Sequence, residues 1–148
     1  MTGDKLRDFF EKKTSEHPSI NLGKKKDDWI KAVNNFYKDV EKILDSSIKE
    51  GTVSVSYDTN TISEEYIGTY EIRKMKLQIG DQIVELSPKG CNIIGASGRI
   101  DLIGELGQKT IVLQPGDRWA IVATRTPTLK VVEFDESNLL EALEEIML

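Results

Sequence analysis

The residues best suited to chemistry lie between Gly95 and Glu105, where glycines alternate with charged side chains. This stretch reads GASGRIDLIGE, and in a β-strand Arg99 and Asp101 lie on the same face. An Arg and an Asp two residues apart can form an ion pair within a sheet, which is the structural interpretation. In the chemical interpretation, Asp101 binds a divalent cation together with Glu105 or Gln114, because Mg²⁺ prefers oxygen ligands.

The segment Gly98–Ile103 resembles the Gly-Glu-Ile-Asp-Leu-Ile strand of some restriction-endonuclease-like proteins. In that family an Asp is followed on the next strand by Glu-x-Lys or Gln-x-Lys. The carboxylates hold Mg²⁺ and the lysine helps to activate water. The resemblance implies a metal-dependent hydrolase or nuclease centred on Asp101. Here the next strand ends with Gln114, and Gly116 stands where that family has its lysine.

The other nucleophilic side chains have no evident catalytic partner. Cys91 is the single cysteine, and its apolar neighbours predict an inert core thiol. Ser97 is not part of a GxSxG motif, and His17, the single histidine, lies in a polar stretch. The structural interpretation therefore predicts no catalytic residue, no cofactor and no metal.

Composition and charge exclude several classes of function. The 148 residues suit one domain, and the net charge of −5 argues against nonspecific nucleic-acid binding, since an acidic surface repels phosphates. The longest apolar run, Trp119 to Ala123, has five residues, so no membrane span is predicted. The polar segment after Met1 and the lone cysteine lead us to expect a cytoplasmic protein.

The clearest predicted element is a helix over about 28–49. Its apolar side chains recur with a period near 3.6 residues over about six turns. Asp27 or Asp28 is the expected N-cap, and Gly51 is the expected residue after the helix end.

The two ends of the chain are predicted to be helical as well. Residues 136–147 form an amphipathic C-terminal helix that Asp135 or Ser137 can cap. Residues 1–26 are interpreted as a short helix followed by a polar linker, and residues 27–148 as one domain. Phe9 and Phe10 in the first segment either dock on this domain or contact a partner.

Between the helices the apolar period changes to two, which predicts strands. Residues 53–57 alternate as a strand, and a polar loop is expected at 58–65. A long extended stretch over 66–79 shifts its apolar phase near Arg73 or Lys74, which predicts a β-bulge or a strand break. Further strands are expected at about 91–95, 99–104, 109–114, 118–125 and 129–134.

The dipeptide Gly80-Asp81 predicts a two-residue hairpin with a defined register. Lys76 then lies opposite Glu85, a favourable pair of charges. The other pairs of this register are Ile79 with Gln82, Leu77 with Val84, and Met75 with Leu86, and their apolar residues share one face.

The predicted fold is α+β, with a strongly bent antiparallel sheet or partly open barrel of seven to eight strands. A strand meander that ends in one helix also resembles a pleckstrin-homology-like barrel, which implies a lipid or peptide ligand. Asp58, Glu64 and Glu65 in the expected first loop argue against phosphoinositides. We therefore predict a non-catalytic binding or protein-interaction domain with a protein or peptide partner, and self-association stays open. The alternative is the metal-dependent hydrolase built on Asp101.

Overall fold

The computed structural model of the chain describes residues 5–7, 19–91, 96–124 and 128–148. Within these ranges, residues 5–7 are helical, and the longer helices are α1 (Ser19–Ile43), α2 (Asp45–Glu50) and α3 (Glu136–Ile146). The strands are β1 (Val53–Glu64), β2 (Gly68–Ile79), β3 (Gln82–Gly90), β4 (Gly98–Ile103), β5 (Gln108–Gln114), β6 (Arg118–Thr124) and β7 (Lys130–Glu133).

Each strand pairs antiparallel with the next, so the described strands form one seven-stranded sheet in the order β1 to β7. β1 and β7 are its two edges, and the sheet is not closed into a barrel. The predicted α+β class, with a partly open sheet and two flanking helices, is confirmed. The pleckstrin-homology-like barrel of the alternative prediction is not formed, because β1 and β7 do not pair among the described strands.

The hydrophobic core lies between the sheet and helices α1 and α3. α1 contributes a stripe of side chains that are at most 2% exposed, which confirms the period of 3.6 residues. Burial of each large apolar side chain contributes about 1.5–3 kcal/mol to folding. The residues that α1 and α3 supply are Trp29, Val33, Phe36, Tyr37, Val40, Leu139, Ala142 and Ile146.

The N-terminal boundary of α1 differs from the sequence prediction. The helix begins at Ser19 and not at residue 28, so residues 19–26 are helical where a linker was expected. Asp27 and Asp28 therefore lie inside the helix and do not cap it. Gly23 does not interrupt the helix, because one glycine costs a helix only about 1 kcal/mol and the adjoining lysines are good helix formers.

The helix caps at the other positions agree with the sequence. Gly51 adopts φ +83° after α2, and its backbone N–H donates to the carbonyl of Ile48 at 3.1 Å. The Asp135 side chain accepts a 2.7 Å hydrogen bond from the backbone N–H of Asn138 at the start of α3. The expected strand at 91–95 falls largely outside the described residues, as do Phe9, Phe10 and His17.

The β2–β3 hairpin has the predicted register. The pairs Ile79 with Gln82, Leu77 with Val84, and Met75 with Leu86 all occur. Lys76 lies opposite Glu85 as expected, but its ammonium group contacts Asp58 on β1 at 2.7 Å. Glu85 instead contacts Lys74 at 3.6 Å, so both ion pairs run diagonally across the sheet.

The expected bulge near Arg73 is absent from the described β1–β2 ladder, and the expected loop at 58–65 is mostly strand. The ladder runs without a register shift from Val53 opposite Ile79 to Glu64 opposite Gly68. The buried face changes nonetheless, because Tyr70 and Ile72 are buried in one half of β2, and Met75 and Leu77 in the other.

This change of face coincides with the end of β3 pairing. The β2–β3 pairs begin at Met75, so the first half of β2 has only β1 beside it. Two-stranded ribbons twist more strongly than wider sheets. We attribute the change of buried face to this twist, which needs no extra residue.

Candidate binding groove

The oxygen-bearing side chains of the hydrolase hypothesis lie at separate places on the β4–β5 hairpin. Asp101 is in the middle of β4, opposite Thr110. Glu105 is exposed in the turn after β4, and Gln114 lies at the far end of β5, opposite Arg118. Gln114 is four residues from Thr110, or about 13 Å along the strand. The fold therefore does not bring these three side chains together.

Asp101 is 5% exposed and forms an ion pair with Arg99, as the structural interpretation expected. The Arg99 guanidinium donates to Asp101 from Nε at 2.8 Å and from Nη2 at 3.4 Å. The neighbours of Asp101 across the sheet are Ser87 and Thr110, both buried. A buried carboxylate costs free energy unless it is paired, and Arg99 supplies that pairing.

Cys91 belongs to a buried cluster with Glu64 and Tyr70. Its backbone N–H donates to the Glu64 carboxylate at 2.9 Å, its thiol lies 3.6 Å from the same group, and the Tyr70 hydroxyl donates to it as well. Burial, together with the nearby Glu64 charge, raises the pKa of the Cys91 thiol to about 12. The thiol is thus protonated at neutral pH and is a poor nucleophile.

A groove lies between α1 and the β5–β6 hairpin of the described residues. It consists of three adjoining clefts of about 400, 480 and 480 Å³. Asp28, Ala32, Leu113 and Asp117 line both of the first two clefts. Since the α1 side extends from Lys24 to Lys42, the groove is about 27 Å long at 1.5 Å per helical residue.

The floor of this groove is a row of aromatic rings from both sides. Phe36 on α1 packs against Trp119 at 4.3 Å and against Phe134 at 4.7 Å between ring centroids. Trp29 lies 6.1 Å from Trp119. Trp119 and Phe134 are only half-buried, so part of their apolar surface remains open to the groove. Trp119 therefore packs against the core and also forms part of the groove floor.

The rims of the groove carry charges of both signs. α1 presents exposed Lys and Asp side chains at helical spacing, and the hairpin tip adds Asp117. Asp117 lines all three clefts and has φ +59°, next to Gly116 at +85°. Asp is one of the few residues that tolerate this left-handed backbone. The rim residues that bear charge are Lys24, Lys25, Asp28, Lys31, Asp39, Lys42, Asp117, Arg118 and Glu133.

One end of the groove holds a buried hydrogen-bond donor that has no partner among the described residues. This donor is the indole Nε1–H of Trp29, a residue that is 2% exposed. Its six-membered ring packs over Gly98, where a Cβ atom would lie 2.0 Å from Cζ3. A buried N–H without an acceptor costs about 1–3 kcal/mol. The packing of Trp29 on Gly98 outweighs that cost and fixes this end of the groove.

Sequence reasoning did not identify the groove. The sequence pattern gives Asp28 only the role of a possible N-cap, and it assigns no role to Asp39 or Asp117. Almost 80 residues separate Asp39 from Asp117, and no local pattern indicates that they line one cleft. The partial exposure of the Trp119 side chain is likewise a property of the tertiary structure.

Comparison with family models, curated proteins and solved structures finds no significant match to this chain. In the part of the chain that the structure describes, no three or more His, Cys, Asp or Glu side chains are grouped to hold a metal ion. No helix among the described residues is long and apolar enough to cross a membrane.

Proposed function

We propose that this chain is a non-catalytic binding module and that the groove along α1 takes a segment of a partner protein. The observation that carries the proposal is the row of half-buried aromatic side chains, Trp119 and Phe134, at the base of a groove about 27 Å long. That length accommodates about eight residues of an extended chain or about five turns of a helix.

The chemistry of the groove supports protein recognition more than catalysis. Aromatic residues, Trp and Tyr above all, are the side chains that most often dominate binding energy at protein interfaces. A partly desolvated aromatic floor with a charged rim reproduces the usual anatomy of such an interface. The candidate nucleophile Cys91 is buried and protonated, and the Asp101 carboxylate is paired with Arg99.

A variant that fills the groove tests the proposal. Ala32 lines two of the clefts, and Ala32→Arg places a long side chain in both. Ala123 is exposed and does not line any of the three clefts, so Ala123→Arg is a matched control. Circular dichroism and thermal melting establish that both variants fold.

We expect proteins captured from a lysate by the immobilised wild type to be retained by Ala123→Arg and lost by Ala32→Arg. Titration calorimetry with the purified captured protein should then show at least about tenfold weaker binding to Ala32→Arg. Equal binding to both variants would place the interaction elsewhere on the surface. Failure to find any protein that the wild type and Ala123→Arg share and Ala32→Arg loses would contradict the proposal.

A further inference from the structure

We infer that the partner segment carries an arginine or lysine whose cationic group lies in the middle cleft of the groove. This inference rests on the proposed function and adds the chemistry of the partner. The middle cleft has a volume of about 480 Å³ and lies over Phe36 and Trp119. Its lining includes three carboxylates and one ammonium group, those of Asp28, Asp39, Asp117 and Lys31.

The carboxylates reach this cleft from opposite sides. Asp28 and Asp39 are exposed on α1, eleven residues and about three helical turns apart. Asp117 is held at the tip of the β5–β6 hairpin by a backbone with φ +59° and faces the cleft from the other rim. A group bound between the rims is therefore within reach of carboxylates from both α1 and the hairpin.

An aromatic floor and carboxylate walls together favour a cation. A guanidinium or ammonium group over the face of a Trp ring is attracted by the ring quadrupole, and the attraction grows as water is excluded. Arginine can also donate paired hydrogen bonds to a carboxylate. The cleft at the N-terminal end of the α1 rim has no excess of negative charge, because Lys24 and Lys25 there balance Asp28 and Asp117.

The same arrangement disfavours an acidic segment at this position. A carboxylate placed in the middle cleft would be repelled by the charges of Asp39 and Asp117. Among the described residues, Lys31 is the one basic residue that lines the middle cleft. The middle cleft thus discriminates by sign of charge, whereas the apolar floor supplies affinity to any segment that fits.

The test uses a short peptide, N-acetyl-Leu-Arg-Leu amide, and its analogue with citrulline in place of arginine. Citrulline is close to arginine in shape but has no charge, and a carbonyl oxygen replaces one nitrogen donor of the guanidinium. The chain has two tryptophans, so a ¹H–¹⁵N spectrum shows two indole signals, and Trp119→Phe assigns them. Titration of the Trp119 signal then gives the dissociation constant of each peptide.

We expect the arginine peptide to bind about tenfold more tightly than the citrulline peptide, a difference of about 1.4 kcal/mol. The ratio should fall below about twofold in Asp39→Asn/Asp117→Asn. It should persist in Asp81→Asn/Glu141→Gln, which changes the net charge equally at exposed positions outside the groove. Added salt should reduce the ratio, because exposed charges are screened.

Each other outcome has a distinct meaning. Equal affinity for the two peptides, with both lost in Ala32→Arg, overturns the preference for a cation and leaves the binding groove in place. A tenfold preference that survives Asp39→Asn/Asp117→Asn also overturns the inference, since the cation then lies elsewhere. If neither peptide moves the Trp119 signal, the cation site is contradicted, and the capture experiment with Ala32→Arg decides separately on the groove.

Discussion

The indole ring of Trp29 packs directly over Gly98, and this contact joins α1 to the sheet at one end of the groove. A Cβ atom at position 98 would lie 2.0 Å from Cζ3 and 2.5 Å from Cε3 of that ring. Gly98 pairs with Leu113 across the β4–β5 ladder, and Leu113 lines the groove as well. The absence of a side chain at Gly98 therefore determines how closely α1 approaches β4 and β5.

We expect Gly98→Ala to destabilise the protein by about 1–3 kcal/mol, because the rigid Trp29 ring must move to admit the methyl group. Gly107→Ala is the matched control, since nothing lies within 4 Å of a Cβ atom there. Its effect should stay within about 0.5 kcal/mol. Urea unfolding followed by tryptophan fluorescence measures both values. Equal stability of the two variants would show that Trp29 is not tightly packed on Gly98.

A second prediction concerns the start of α1. Because Gly23 lies inside the helix and has open space around it, Gly23→Ala should stabilise the protein by about 0.5–1 kcal/mol. Gly51→Ala should have the opposite sign, since Gly51 has φ +83°. Chemical denaturation gives both differences. A neutral or destabilising Gly23→Ala would favour the linker that the sequence alone suggested for this region.

The success of sequence reasoning followed the range of the interactions involved. The register of the β2–β3 hairpin was predicted completely, because Gly80 and the alternating strands beside it contain all the information. The shift of apolar phase near Arg73 was visible, but its cause was not. We attribute the shift to the end of β2–β3 pairing at Met75, which the apolar pattern alone does not show.

The candidate site was harder to predict for the same reason. The ion pair between Arg99 and Asp101 is local, and the sequence predicted it as the structural interpretation of that strand. The groove instead depends on the docking of α1 beside the β5–β6 hairpin, which leaves Trp119 only half-buried. Periodicity classifies Trp119 as a core residue and does not report how completely it is covered.

The ion pair on β4 makes a third prediction. Arg99→Met should destabilise the protein by about 1–3 kcal/mol, because it leaves the buried Asp101 carboxylate without its cation. This range is below that of a fully buried pair, since the Arg99 side chain is 35% exposed. The double variant Arg99→Met/Asp101→Leu should recover part of the loss. Additive effects in the double-mutant cycle would contradict a direct interaction.

Divalent cations provide a fourth prediction, which addresses the hydrolase hypothesis. Because Glu105 and Gln114 do not converge on Asp101, we expect millimolar Mg²⁺ or Mn²⁺ to leave the melting temperature unchanged. A cation that binds only the folded protein, present at 100 times its dissociation constant, would add about 2.7 kcal/mol. A rise of that size that is lost in Asp101→Asn would instead support a metal-dependent hydrolase and justify nuclease assays.

The cluster around Cys91 predicts how stability depends on pH. Burial raises the pKa of the Cys91 thiol to about 12, so the folded protein keeps its proton in a range where the unfolded chain has lost it. The unfolded thiol ionises near pH 8.5. The stabilisation is therefore complete below about pH 8.5 and is lost progressively as the pH rises toward 12. Burial also raises the pKa of Tyr70, which adds to the same trend at higher pH.

Urea unfolding at pH 8 and pH 10.5 under reducing conditions measures this loss. Cys91→Ser removes the ionisable thiol but keeps a donor for Glu64, so its stability should fall less between the two pH values than that of the wild type. The same burial predicts that a disulfide reagent labels Cys91, the single cysteine, slowly at pH 8 until urea unfolds the chain. Rapid labelling of the folded protein, or equal pH dependence of the two proteins, would show that the thiol is not held in this cluster.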